Sequence, residues 1–401
     1  MEGSSKPGAF SPGQALVRHL RDKMGFHPII MFGTQYSGKS AVLLSLLAYA
    51  KYHPELRVQV DFAAQGVEEL FPEEYEEAKG VEHSTRFNWA NSIYDDQASD
   101  FEAGWMPEST QVRQPIYVPI QLRREDVTTK FLFVEANGEW FDRDRKTGAY
   151  KPLVDEFQYL LRYYDRPMSV IFVVPVVQAR AHDFNLMLDC IGKCISEYSW
   201  YGRGQFGDNL LLLGSQWDKL PGNKLIAAPA SGVSAAEFLA AVTRWDGVWA
   251  PFLALQNVRK GSRAAMPYSI GPVRQGTEGV ASEAQRAARE PDLEAEETRR
   301  QTGEADRAAN VYAGAAPPLP RRRRGEPNRA ARMYAEDSIF TQFPRILWNW
   351  LYANANQDLG NSGSRTRPTL FPDVDVEHFP NPSIWARFMV GFFSTQSKVL
   401  A

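Results

Sequence analysis

The 401-residue chain is predicted to be an α/β protein, a doubly wound and mostly parallel sheet with one antiparallel hairpin strand and insertions. Three observations carry that class. Residues 27–48 read HPIIMFGTQYSGKSAVLLSLLA, a short apolar strand, a Gly/Ser loop and an apolar helix in succession. Residues 169–177 (SVIFVVPVV) and 209–214 (NLLLLG) are continuous apolar runs, as parallel strands buried on both faces require. Helical patterns over residues 153–164 and 184–198 separate these strands, and such alternation winds a parallel sheet whose ligand sites lie at the strand C-termini.

Taken in order, residues 1–24 form an N-terminal extension, Gly/Ser/Pro-rich up to residue 12 and helical over 12–23. A domain over 25–271 begins with the first strand and the loop Gly33-Thr34-Gln35-Tyr36-Ser37-Gly38-Lys39-Ser40, followed by Ala41 and a helix to residue 52. This is a complete GxxxxGK[ST] loop in its strand-to-helix context, which makes the sheet one of P-loop NTPase type. The glycines permit the tight turn, and backbone N–H groups at the helix N-terminus face a β-phosphate. Lys39 neutralises the β- and γ-oxygens, and the Ser40 hydroxyl ligates Mg²⁺. Residues 61–110 carry an acidic run (Glu68, Glu69, Glu73, Glu74, Glu76, Glu77) and then aromatics among turn formers, an insertion that would hold a first switch region. Residues 116–123 and 129–135 are β-rich runs around the turn Arg124-Glu125-Asp126, hence an antiparallel hairpin. A helix over 235–243 and a strand over 264–269 follow. From 272 to 333 the composition falls to Ala, Glu, Arg, Gly, Pro and Gln, too apolar-poor to offset ordering entropy, so a disordered insertion is expected. Residues 334–355 hold a closing apolar helix over 340–352, and 356–401 form a C-terminal extension.

Bulk properties bound the function. With 44% hydrophobic and 12% aromatic residues a buried core is available, and a net charge of −3 gives no field that would recruit nucleic acid. Cys190 and Cys194 lie four apart on a helical pattern, which suits neither a disulfide framework nor a zinc site, and the six histidines show no metal spacing. The first residues lack a signal pattern and no stretch of 18 uncharged apolar residues occurs, so a cytoplasmic protein with no transmembrane segment is expected.

Other motifs choose the nucleotide. Glu135 ends a strand and Gly138 follows, an arrangement that reaches a Mg²⁺ shell with the acid and a γ-phosphate with the glycine N–H. Ser215-Gln216-Trp217-Asp218-Lys219 ends a later strand, and the Asp218 carboxylate can accept two hydrogen bonds from the guanine N1–H and amine, which adenine lacks. Tyr268-Ser269-Ile270-Gly271 follows the next strand, where Ser269 would meet the guanine O6. In this order the motifs resemble the translation-factor-related (TRAFAC) class of P-loop GTPases, and look most like bacterial double-GTPase-type domains of conflict-type operons. The resemblance covers about residues 25–271 and 338–353. It implies GTP and GDP as ligands, Mg²⁺ as cofactor with Ser40, Glu135 and a switch Thr as ligands, and another GTPase or an effector of the same operon as partner. Thr110 is the switch candidate and Thr85 the weaker one, with a plain Ser/Thr turn as the alternative; Arg113 or Arg86 would supply charge to the γ-phosphate in cis, against the more common reading of each as an ordinary surface residue. The chain departs from the pattern at Glu135, which replaces Asp and would reach Mg²⁺ through a water. It departs also at Ser215 and Gln216, which replace Asn/Thr and Lys, and at Glu139, in place of a water-orienting Gln.

The resulting expectation is a Mg-dependent, slow GTPase acting as a nucleotide-controlled switch, with Lys39, Thr110, Gly138 and Glu139 at the chemistry. A pseudo-GTPase scaffold and an ATP-using P-loop enzyme are the alternatives. Arg321, Arg322, Arg323 and Arg324 beside PPLP read as a linker or an anion-binding tract, and the aromatic run at 384–393 as packing or an interaction patch.

Overall fold

Chain entry is set by local chemistry at Ser11. Its hydroxyl accepts from the Gln14 backbone N–H (3.3 Å) while Gln14 Oε1 accepts from the Ser11 N–H (3.1 Å), a capping box that starts α1 (Pro12–Arg18), with Pro12 where a missing N–H costs nothing. The helix runs on into a π-helical turn, His19–Met24, closed by Gly25 at φ 68°. The computed structural model describes residues 11–34, 37–59, 98, 101–102, 116–135, 155–176, 189, 192–193, 198, 201, 203, 206–217, 263–271, 334, 339–356 and 370.

These residues form a seven-stranded sheet: β1 (His27–Phe32), β2 (Val58–Gln59), β3 (Ile116–Arg124), β4 (Val127–Glu135), β5 (Ser169–Pro175), β6 (Asn209–Ser215) and β7 (Arg263–Pro267), in the order β2-β3-β4-β1-β5-β6-β7. β1 pairs in parallel with β4 and β5, and β5–β6 and β6–β7 are parallel too; β3 alone runs against its neighbours. The sheet is therefore doubly wound and mostly parallel, with one antiparallel hairpin strand. The hairpin turn is tighter than the sequence implies, because Arg124 pairs with Val127 in the ladder and only Glu125 and Asp126 turn, Glu125 in the left-handed region at φ 52°. β5 ends at Pro175, and the next residue, Val176, still donates its N–H to the Ser215 carbonyl of β6 at 3.0 Å. The two-residue edge strand β2 carries no period for sequence to read.

Helices cover both faces. Alternation along β1, β5 and β6 sends Ile29, Met31, Ile171, Val173, Leu211 and Leu213 into one cluster with α2 (Lys39–Tyr52) and α4 (Gln342–Ala355). α2 is apolar nearly all round because it lies between the sheet and α4, whose Trp348 Nε1 donates to the Leu46 carbonyl at 3.1 Å. On the other face Phe32 stacks on Phe172 (5.4 Å) and meets Phe157 of α3 (Asp155–Tyr163) at 5.7 Å. α4 begins two residues before Pro344, which a first turn tolerates, after a 3₁₀ turn Ile339–Thr341. At the N-terminal ends of β5 and β6, buried Arg203 grips buried Asp208 bidentately (2.5 and 2.8 Å), while the Tyr198 hydroxyl and Met168 N–H also donate to that carboxylate. The same guanidinium donates to the carbonyls of Tyr164 and Arg166. Among the described residues no helix is long and apolar enough to cross a membrane.

Candidate functional site

β1 ends at Phe32 and the chain turns at once, between β1 and β5, the strands from which the connections leave in opposite directions. A Cβ at Gly33 would stand 2.5 Å from Ser37 Oγ and 2.9 Å from the Val173 carbonyl of β5, so only glycine lets the loop lie this close to the sheet. Gly38 is the N-cap of α2 at φ 95°, a conformation that side chains rarely adopt. No side chain caps α2, so its first turn presents N–H groups and the positive end of the helix dipole to the concave side of the loop. The Thr34 and Ser37 hydroxyls are buried and find no hydrogen-bond partner among the described residues. Orphaned donors of this kind cost about 1–3 kcal/mol each unless a ligand satisfies them. Lys39 is only 6% exposed, and its ammonium donates to the Gly33 and Thr34 carbonyls at 2.7 and 3.0 Å. The arrangement is a cradle of donors and one cation, suited to an anion with several oxygens.

Beside it, the Ser40 hydroxyl donates to Glu135 Oε1, joining the first turn of α2 to the end of the adjacent strand β4. Burial pushes the Glu135 carboxyl above the usual carboxylate range, opposed by the Lys39 ammonium and by the Ser40 hydrogen bond. Among the described residues no group of three or more His, Cys, Asp or Glu could hold a metal. A divalent cation here would need oxygens from a bound ligand as well, as Mg²⁺ on a phosphate does, and a hydroxyl beside a carboxylate fits such an ion.

The third side is built from β6 and β7. Ser215 Oγ donates to the Ser37 carbonyl at 2.5 Å, so this hydroxyl, read from sequence as part of a base-binding motif, is engaged with the phosphate-type loop itself. Gln216 follows at φ 59°, and Trp217 N–H donates to the Tyr268 carbonyl while Tyr268 N–H donates to that of Gly214 (3.2 and 2.7 Å), which holds the two strand ends together. Ser269 is buried and its hydroxyl accepts from the Gly271 N–H at 3.1 Å, a local turn. The Tyr268 hydroxyl is 2.6 Å from Ser45 Oγ on α2, and burial holds its pKa well above that of a free tyrosine.

The structure thus gathers Gly33, Thr34, Ser37, Gly38, Lys39, Ser40, Ala41, Glu135, Ser215, Gln216 and Ser269 at the C-terminal ends of β1, β4, β6 and β7. Gln35, Tyr36, Thr85, Arg86, Thr110, Arg113, Gly138, Glu139, Asp218 and Lys219 lie outside the described residues. The sequence did not foresee that Val173 lies against Gly33 or that the Tyr268 hydroxyl meets Ser45. Val173 carries no local signal, whereas Ser45, a lone hydroxyl in the run AVLLSLLA, is the kind of residue that asks for a buried partner.

Sheet order, loop and helix together define a doubly wound α/β fold of the P-loop NTPase type. Neither a protein-family model nor a curated protein matches the chain. Among solved structures it is similar to the RocCORdC structure of Methanosarcina barkeri Roco2 bound to GDP, with a TM-score of 0.26 and 10% identity over 72% of this chain and 52% of that one. It is similar also to sup35 complexed with GDP, with a TM-score of 0.25 and 14% identity over 62% of this chain and 39% of that one. The chain therefore spans about half or less of the length of either.

Proposed function

We propose that the protein binds a guanine nucleotide with Mg²⁺ and acts as a slow GTPase switch for a partner protein. The observation that carries this reading is the loop between β1 and α2: two glycines that steric and backbone constraints require, an uncapped helix, buried unpaired hydroxyls and a buried lysine. In this reading Gly33, Thr34, Gln35, Tyr36, Ser37, Gly38 and Ala41 cradle the phosphates, and Lys39 leaves its loop carbonyls to meet the β- and γ-oxygens. Ser40, Glu135 and Thr110 hold the Mg²⁺, which supplies charge neutralisation at the phosphates. Asp218 selects guanine with Gln216, Lys219 and Ser269 around it, and Ser215 steadies the loop through Ser37. Gly138 senses the γ-phosphate, and Glu139 beside it keeps turnover slow. The ordered motif set supports membership of the TRAFAC class and a bacterial, operon-encoded GTPase or effector as partner, in the cytoplasm, with no part for nucleic acid.

Fluorescent GTP and ATP analogues titrated into wild type, Lys39→Ala and Asp218→Ala test the reading. GTP should bind more tightly than ATP, Lys39→Ala should weaken both, and Asp218→Ala should abolish the preference; equal affinities unaffected by Asp218→Ala overturn the guanine assignment. One observation favours a second reading, a scaffold that binds without turnover: Lys39 and Ser40 are each held by the protein's own oxygens. Single-turnover phosphate release above the Lys39→Ala background excludes the scaffold.

A further inference from the structure

We propose that α1 and its π-helical turn form a built-in regulatory arm, docked on α3 so that the grip of the arm and the γ-phosphate contact of the nucleotide site are linked. The proposal rests on the nucleotide reading above and adds its regulation. It starts from a contact with no slack. A Cβ at Gly13 would stand 2.5 Å from Tyr159 Cγ and 2.9 Å from Tyr163 Cε2, so only glycine lets α1 lie this close to the two rings, which are neighbours one turn apart on α3. Further along the arm, the Arg21 guanidinium donates to the Asp165 carboxylate, just past the end of α3, at 2.7 Å. The buried Tyr164 hydroxyl donates to the Phe26 carbonyl at 2.9 Å, where the arm has ended and β1 is about to begin. The arm is thus held on α3 at its first turn and again at its last.

Through α3 the nucleotide can reach this arm. The helix follows Gly138 in the chain, the glycine given to the γ-phosphate above, and its Phe157 meets Phe32, the last residue of β1 before Gly33, at 5.7 Å. A helix moves as a stiff body, so a pull on the segment before it displaces Tyr159 and Tyr163 as well. Close-packed contacts do not stretch; they hold in one arrangement or give way to another. With no free space at Gly13, a small shift of α3 therefore changes the grip. The hinge is Gly25, between the arm and β1 at φ 68°, where a Cβ would meet nothing within 4 Å among the described residues, so the arm can swing there without carrying β1 with it. The ion pair to Asp165, a side chain 53% exposed, holds the arm only weakly in water. Release frees the tyrosine face of α3 for a partner, and docking covers it with the chain's own segment.

Linkage is reciprocal: if a γ-phosphate changes the grip of the arm, breaking the grip changes the ratio of the GTP and GDP affinities by the same factor, about fivefold or more for a working coupling. The full chain is loaded with GDP or with the non-hydrolysable guanylyl imidodiphosphate, and amide hydrogen exchange is read over residues 12–24. Exchange there should differ between the two loaded states. Equal exchange overturns the proposal and leaves the nucleotide reading standing, whereas failure of wild type to bind either nucleotide overturns both. A second measurement uses Gly13→Leu, which wedges the arm off α3 and touches no residue given to the nucleotide. The affinity ratio of guanylyl imidodiphosphate to GDP should shift by about fivefold or more from wild type, whereas a purely structural arm would change both affinities together. An unchanged ratio in a variant whose residues 12–24 exchange freely overturns the linkage.

Discussion

Arg203 and Asp208 offer the sharpest test of how this fold is held. Both side chains are fully buried, and the guanidinium makes two bonds to the carboxylate while donating also to the carbonyls of Tyr164 and Arg166. Replacing Arg203 by Met keeps most of the volume but leaves Asp208, among the described residues, with donors from Tyr198 and Met168, and two backbone carbonyls short of a donor. Breaking a buried pair from one side costs about 3–5 kcal/mol, because the remaining charge stays desolvated. For a domain of this size that lowers Tm by roughly 10 °C. Arg203→Met/Asp208→Leu removes the stranded charge as well and should recover at least half of the loss. Urea unfolding of the two single variants and the double variant, analysed as a cycle, gives the coupling. If Arg203→Met costs less than about 1 kcal/mol, the pair is hydrated in solution and the reasoning from burial is wrong. The cluster stands at the opposite end of the strands from the phosphate-type loop, so nucleotide affinity should be unchanged at temperatures where the variant is folded.

Four further outcomes follow from the same geometry. Gly33→Ala should weaken nucleotide binding at least tenfold in a fluorescence titration, since its Cβ meets the Val173 carbonyl, which cannot step aside, while Gly38→Ala should show a backbone-strain cost of about 1–2 kcal/mol in unfolding, its Cβ having 3.6 Å of room. Tyr268→Phe should lower stability by about 1 kcal/mol in urea, because Ser45 loses the tyrosine hydroxyl and is left with its bond to the Val42 carbonyl among the described residues. His27, 2.9 Å from Ser169 Oγ, has its pKa pulled down to about 4 by burial. The unfolded chain therefore takes up that proton first, and the stability His27 contributes is complete above about pH 6.5 and lost as pH falls toward 4, by about 1 kcal/mol per unit. Urea midpoints at pH 7.5, 5.5 and 4.5 should show a steeper decline in wild type than in His27→Gln; parallel declines would remove His27 as the cause.

The sheet was legible wherever burial is uniform. β5 and β6 read as apolar runs because both faces are covered, and the loop read as a motif because glycine, lysine and serine are each required by a different atom of the turn. Boundaries were less legible: the hairpin turn closes on two residues, and β2 is too short to carry a period. The partner of Ser215 was not legible, since a hydroxyl at a strand end says nothing of which neighbour it will meet, and the Ser37 carbonyl is 178 residues away in the chain. The Arg203–Asp208 pair was invisible for the same reason, as an isolated Arg and Asp in a polar loop ordinarily face water.

Sequence alone determined what is set by neighbours along the chain: the strand-loop-helix unit, the alternation that winds the sheet, and the chemical character of each strand end. Tertiary structure decided what depends on distance across strands. It placed β4 against β1, so that Glu135 meets Ser40; it laid Gly33 against Val173; and it stretched Ser215 to Ser37 and Tyr268 to Ser45. The physical reason is that strand order and register turn residues remote in sequence into contacts a few ångströms long, and no local pattern encodes which ones.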